Sequence, residues 1–167
     1  FRRSRGLGDV YKRQVIVYET GGGTGLIGMW KAFNELKILG KVSGKLPRMV
    51  AAQSTGCAPV VKAFQRRENK TEFWENSQTV ALGLNVPGPI GGYWILRILY
   101  ESNGIAVDVP ESDLQSLTDE FNSITRINAG PEAGVVWGAF QKLRNVGWID
   151  NSQSVVLFAT GIERCKL

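Results

Sequence analysis

Histidine is absent from all 167 residues. That absence excludes Ser-His-Asp triads, histidine metal sites and imidazole acid–base chemistry, and no metal is expected. Cysteine is nearly absent as well: Cys57 and Cys165 stand far apart and form no C-x-x-C pair. A disulfide scaffold is therefore disfavoured, and a reducing, cytoplasmic setting fits. No apolar run approaches the roughly 20 residues that span a bilayer, so no membrane partner is expected. The net charge of +5 invites a nucleic-acid reading, but Arg2, Arg3, Arg5, Lys12 and Arg13 all fall within residues 1–14, against Asp9 alone. The rest of the chain is close to neutral and carries no basic stripe interleaved with aromatics, so no nucleic-acid partner is expected.

Residues 1–14 show neither strand nor helix periodicity and no hydrophobic targeting core. They read as a non-native tail, such as translated linker, and the fold is sought in residues 15–167.

That remainder alternates. Apolar strands are expected at 15–18, 48–53, 105–109 and 154–159, the last as an unbroken apolar run buried on both faces. Helices are expected at 24–39, 57–65, 90–101, 112–123 and 131–146, with a short one at 79–82. Gly40 closes the first helix and Pro131 suits the start of the last. The pattern predicts an α/β fold of three αβα layers around a mainly parallel sheet. Ligands of such sheets collect at the carboxyl ends of the strands. The segments after 15–18 and 154–159 both reach that edge, so one ligand could touch both.

The first of those segments is Gly21-Gly22-Gly23-Thr24-Gly25. Glycines carry no Cβ to block an anion from backbone N–H groups, and the following helix adds its positive N-terminal end. A phosphate group is the expected ligand; the plain alternative is a tight turn with none. Gly23 to Gly28 also fits G-x-G-x-x-G, but the dinucleotide reading needs an acid on the second strand, and residues 41–54 contain none. Among polar residues elsewhere, Gln53, Ser54 and Thr55 end a strand on the same edge, and Glu132 stands in a helix first turn. Trp30, Trp94 and Trp137 sit among apolar residues at helical spacing and read as core.

The run from Gly21 to Phe33 resembles the phosphate-loop segment of threonine synthases, members of the tryptophan-synthase-β-like group of pyridoxal phosphate enzymes. Four further segments resemble the same family in the same order: 53–61, 83–87, Pro131-Glu132-Ala133-Gly134, and 155–161 ending in Thr160-Gly161. The resemblance implies the carboxyl-terminal part of the large domain of a fold type II enzyme, with pyridoxal 5′-phosphate as cofactor. Gly21, Gly22, Gly23, Thr24 and Gly25 would cup the cofactor phosphate, and Thr160 would face the pyridine nitrogen. The lysine that carries the cofactor as a Schiff base lies upstream of the glycine loop in that family, so no catalytic residue is assigned in this chain.

A complete enzyme of this kind would be a lyase converting O-phospho-L-homoserine and water to L-threonine and phosphate. Its partner would be a small amino-acid substrate, with a homodimer as one possible arrangement, and the chain alone is expected to be inactive. The alternatives are a related serine/threonine dehydratase or diaminopropionate ammonia-lyase, or a non-catalytic anion-binding module. One departure stands out: the family continues Thr-Gly-Ser-Gly-Leu-Lys, whereas Thr160-Gly161 is followed here by Ile162-Glu163-Arg164.

Overall fold

Strand periodicity of two sorts the core before any helix is placed. Val15 and Val17, Val50 and Ala52, and Val107 and Val109 point to one face of the sheet; Ile16, Met49, Ala51 and Ala106 point to the other. Both sets are buried, which requires helices on both faces. The computed structural model, which describes residues 13–162, has that arrangement. Four parallel strands, β1 (Arg13–Glu19), β2 (Arg48–Ser54), β3 (Ile105–Val109) and β4 (Ser154–Leu157), lie in the order β3-β2-β1-β4. On one face pack α1 (Thr24–Ile38), α2 (Pro59–Gln65) and α3 (Gly92–Glu101), through Leu26, Val60, Ile95, Leu96 and Leu99. On the other packs α5 (Pro131–Asn145), through Val135, Val136, Ala139 and Leu143, with α4 (Leu114–Thr125) against it.

Chain direction explains this division. From β1 the chain steps outward through β2 to β3, then returns across the whole sheet to β4 on the far side of β1. Parallel crossovers are right-handed, so reversing the direction of travel moves the connecting helices to the opposite face. A crevice therefore opens between β1 and β4 at their carboxyl ends, where the strand order reverses.

Several expected elements shift. β1 begins at Arg13, two residues earlier than the expected strand, and residues 1–12 of the expected tail lie outside the described residues. α2 starts at Pro59 and α3 at Gly92, while the expected 79–82 helix is a 3-10 turn at Leu82–Leu84. A second 3-10 turn, Glu111–Asp113, precedes α4, which runs on to Thr125. β4 corrects a larger expectation. Its Val155, Val156 and Leu157 are half-buried, because β4 is an edge strand with β1 as its one partner in the described sheet. Val155 and Leu157 pack against the core on the α5 face and Val156 against the core on the other, and no further described strand pairs with it.

Trp94 also departs from the core reading. It is 51% exposed and carries the Arg97 guanidinium 5.4 Å from its ring. Trp30 and Trp137 are half-buried and cap their clusters, their indole N–H groups donating to Glu101 and Glu120.

Gly104, at the entry to β3, marks a close approach of two backbones. A Cβ there would lie 2.0 Å from the Met49 carbonyl oxygen of β2. Overpacking costs about 1–3 kcal/mol, and a backbone obstacle cannot swing aside as a side chain can. Gly104→Ala is expected to lower stability by about 3 kcal/mol, read as a lower urea midpoint at unchanged slope.

Candidate active site

The crevice between β1 and β4 is a cleft of about 610 Å³ at the carboxyl edge of the sheet. Its walls are the end of β1 (Tyr18, Glu19), the glycine turn, the segment from Val80 to Leu84, the start of α5 (Pro131, Glu132) and Thr160 to Ile162. The residues assigned from sequence, Gly21, Gly22, Gly23, Thr24, Gly25 and Thr160, all line it.

The glycine turn is shaped by its neighbours. Gly23 stands at φ +85°, the left-handed region, and caps α1 with no side-chain hydrogen bond. A Cβ on Gly23 would fall 2.3 Å from Ile95 Cδ1, and one on Gly25 would fall 2.0 Å from the Tyr18 hydroxyl. These glycines let the turn lie flat on α3 and β1. The N–H groups of residues 22–25 find no acceptor among the described residues and open at the positive end of a 15-residue helix. By contrast, a Cβ on Gly28 would meet nothing within 4 Å. In the dinucleotide fingerprint the third glycine serves close helix–strand packing. Gly28 has no such role, so the local geometry rejects that reading independently of the missing acid.

Thr160 follows β4, and its segment turns toward the α5 face: the Gly130 N–H donates to the Gly161 carbonyl at 3.1 Å. Its hydroxyl and backbone N–H both donate to Glu19 Oε1, the N–H at 2.7 Å. Glu19 was not singled out from sequence. It is 4% exposed, and Oε2 has no hydrogen-bond partner among the described residues. Burial pushes its carboxyl above the usual range, the Thr160 donors pull it back, and the Glu132 carboxylate nearby pushes it up again. Glu132 reaches across the cleft floor, where Oε1 accepts from the Gly83 N–H at 2.9 Å. It thereby ties the 3-10 turn to the first turn of α5, besides complementing that helix end.

The three strand-end polar residues do not line the cleft. Gln53 is fully buried; its Nε2 donates to the Thr20 carbonyl at 3.0 Å, and its Oε1 accepts from the Val60 and Val61 N–H groups at 2.9 and 3.1 Å. Ser54 donates to Glu111, and Thr55 Oγ1 accepts from the Glu111 N–H at 3.0 Å. All three brace connecting segments. Cys57 is a buried free thiol whose ionisation burial opposes, and Cys165 lies outside the described residues. No described helix is long and apolar enough to cross a membrane.

Residues 7–161 match the family described as pyridoxal-phosphate dependent enzyme. A threonine synthase of Methanosarcina acetivorans is 28% identical over 146 residues, covering 87% of this chain and 36% of that protein. A cysteate synthase of Methanospirillum hungatei is 28% identical over 152 residues, covering 84% of this chain and 36% of that one. The chain thus spans about a third of the length of these curated relatives. The structure of maize serine racemase superposes with a TM-score of 0.71 at 16% identity, over 96% of this chain and 46% of that one, a likeness that establishes the fold. The α/β architecture, the crevice at its strand reversal and the match over nearly all its length agree: this chain belongs to the pyridoxal-phosphate dependent enzymes, and the cofactor of its family is pyridoxal 5′-phosphate.

Proposed function

We propose that this cleft holds the cofactor with its phosphate on residues 21–25 and its ring nitrogen toward the Thr160 hydroxyl. The observation that carries this reading is the set of amides at residues 22–25 with no acceptor among the described residues, on residues that line the same cleft as Thr160. The residues fit the group: a Cβ-free cradle at a helix N-terminus suits a phosphate, and a hydroxyl suits an aromatic nitrogen. No Lys or Arg is among the cleft's described lining residues, so the phosphate charge is met by amides and the helix end. When bound, pyridoxal phosphate supplies an electron sink for carbanions beside an amino-acid nitrogen. Thr160, a neutral group, leaves that ring a milder sink than a carboxylate facing it directly would. The lysine that anchors the cofactor belongs, in this proposal, to the remainder of the complete protein.

The substrate reading is that the complete enzyme converts O-phospho-L-homoserine and water to L-threonine and phosphate. It rests on the two threonine synthases among the relatives and on the five collinear segments that resemble that family. The test is expression of the complete reading frame with O-phosphohomoserine, serine, threonine or diaminopropionate as substrate. Phosphate release with threonine formation supports the proposal. Ammonia release from the other amino acids favours a dehydratase or ammonia-lyase, and no turnover favours an anion-binding module.

Thr160 makes a separate prediction. A single neutral hydrogen bond is worth about 0.5–1.5 kcal/mol. Thr160→Val is therefore expected to weaken binding of pyridoxine 5′-phosphate by roughly three- to tenfold and to leave binding of inorganic phosphate unchanged. Equal weakening of both would place Thr160 at the phosphate instead.

A further inference from the structure

Glu19 is the one charged side chain at the carboxyl end of β1, buried in the wall of the cleft and joined to the residue that the proposed function sets against the cofactor ring. Oε1 is committed to Thr160 twice, through the backbone N–H and the hydroxyl. Oε2 is buried and has no partner among the described residues. A purely structural tie for the segment after β4 needs only an acceptor. A carboxyl brings in addition a proton that can be lost, at a burial cost that a tie alone does not require.

We propose that Glu19 is a positioning residue that acts on the cofactor ring through Thr160, so that the ring nitrogen meets a carboxyl–hydroxyl chain and not an isolated hydroxyl. The inference rests on the reading of Thr160 as the group facing that nitrogen. The chain carries two mobile protons. In one arrangement the Glu19 acid donates to Thr160 Oγ1 and the hydroxyl donates to the bare ring nitrogen. In the other, the protonated ring nitrogen donates to Oγ1 and the hydroxyl donates to the Glu19 carboxylate. Each proton moves one step between them, and the total is unchanged. Removal of one proton leaves the hydroxyl turned to the carboxylate and a bare nitrogen facing oxygen lone pairs. Ring binding then requires a proton from solvent.

The surroundings favour the protonated chain. Glu132 faces Glu19 from α5 and Tyr18 precedes it on β1, while no Lys or Arg is among the described residues lining the cleft. Burial and the Glu132 charge raise the Glu19 carboxyl, so its ionisation is displaced upward from the usual carboxylate range.

The probe is pyridoxine 5′-phosphate labelled with nitrogen-15 in the ring, which has no aldehyde and forms no bond to lysine. It is titrated into the full chain, wild type, Glu19→Gln and Thr160→Val, from acidic to alkaline pH. Wild type is expected to lose affinity by about tenfold per pH unit above the Glu19 titration, the slope of one linked proton. Both variants are expected to lack that slope, and the ring-nitrogen shift at a given pH should differ between Glu19→Gln and wild type. A second measurement needs neither ligand nor variant: the Glu19 carboxyl carbon and the Thr160 amide should titrate with one midpoint in the free wild-type chain. If Glu19→Gln keeps the wild-type slope, or the two free-chain titrations differ in midpoint, the inference is overturned while the cofactor reading survives. If the probe leaves the Thr160 amide unmoved at every pH, the cofactor reading fails and the inference falls with it.

Discussion

Gly23→Ala should destabilise the chain by about 2–5 kcal/mol and weaken its hold on a phosphorylated pyridine by roughly ten- to a hundredfold. The backbone at Gly23 has φ +85°, a conformation that costs an L-residue about 1–2 kcal/mol. The new methyl would also fall 2.3 Å from Cδ1 and 2.5 Å from Cγ1 of the fully buried Ile95. Ile95 can yield only into a packed core, which adds about 1–3 kcal/mol. The turn relieves this strain by lifting away from α3, which redirects its open amides. Loss of one charge-assisted bond to an anion accounts for about 1.5–3 kcal/mol of binding. Gly28→Ala is the control: Gly28 is exposed within α1 and nothing lies within 4 Å of a Cβ there. It should stabilise the helix by about 0.5–1 kcal/mol and leave binding alone. Denaturant midpoints and phosphate-competed titrations on both variants check the contrast. Equal behaviour at the two positions would mean that the turn is not the anion cradle.

Gln53→Leu should cost still more stability, about 3–5 kcal/mol, although the side chain is replaced by one of similar size in the core. The leucine strands the N–H groups of Val60 and Val61 at the start of α2 and the carbonyl of Thr20 beside the glycine turn. Each buried unsatisfied group costs about 1–3 kcal/mol. A domain's whole stability is about 5–15 kcal/mol, so much of the chain should be unfolded at physiological temperature. Gln53→Glu keeps both acceptor bonds at a helix N-terminus, where negative charge is favoured, and loses only the donor to Thr20. It should recover a large part of the loss at neutral pH. Thermal unfolding of the pair separates the two contributions; an unperturbed Gln53→Leu variant would show that these buried bonds carry little.

The pH dependence of stability carries the mark of Glu19. Its folded carboxyl holds a proton more tightly than the unfolded one. Below the unfolded value both states are protonated and the contribution is fully present. As pH rises from there through the raised folded value, the unfolded state releases its proton first and that stability is lost. The Glu19→Gln variant should lack this component.

The glycine turn, the strand ends and the parallel sheet were legible because each is local: small residues in a row, apolar runs, caps at the right spacing. The position of β4 was not, since an apolar run reads alike in the middle of a sheet and at its edge. Gln53 looked like an ordinary strand-end polar residue because its partners, Thr20 and the Val60–Val61 amides, are set by tertiary approach. Glu132 was legible as a helix first-turn acid; its bond to Gly83, 49 positions away, was not. Glu19 carries one signal in the sequence: an acid at the end of Val15-Ile16-Val17-Tyr18, inside a buried strand and directly before the turn. A charge in that place has to find a partner, and its partner is 141 positions away.

The most direct measurement is a map of backbone amide shifts as the full chain is titrated with pyridoxine 5′-phosphate and, in parallel, with unphosphorylated pyridoxine. The amides of residues 21–25 and of Thr160 should move together with one dissociation constant, and the unphosphorylated ring should move the turn far less. Shifts confined to other surfaces, or equal responses to the two ligands at the turn, would contradict the assignment of this cleft to the cofactor.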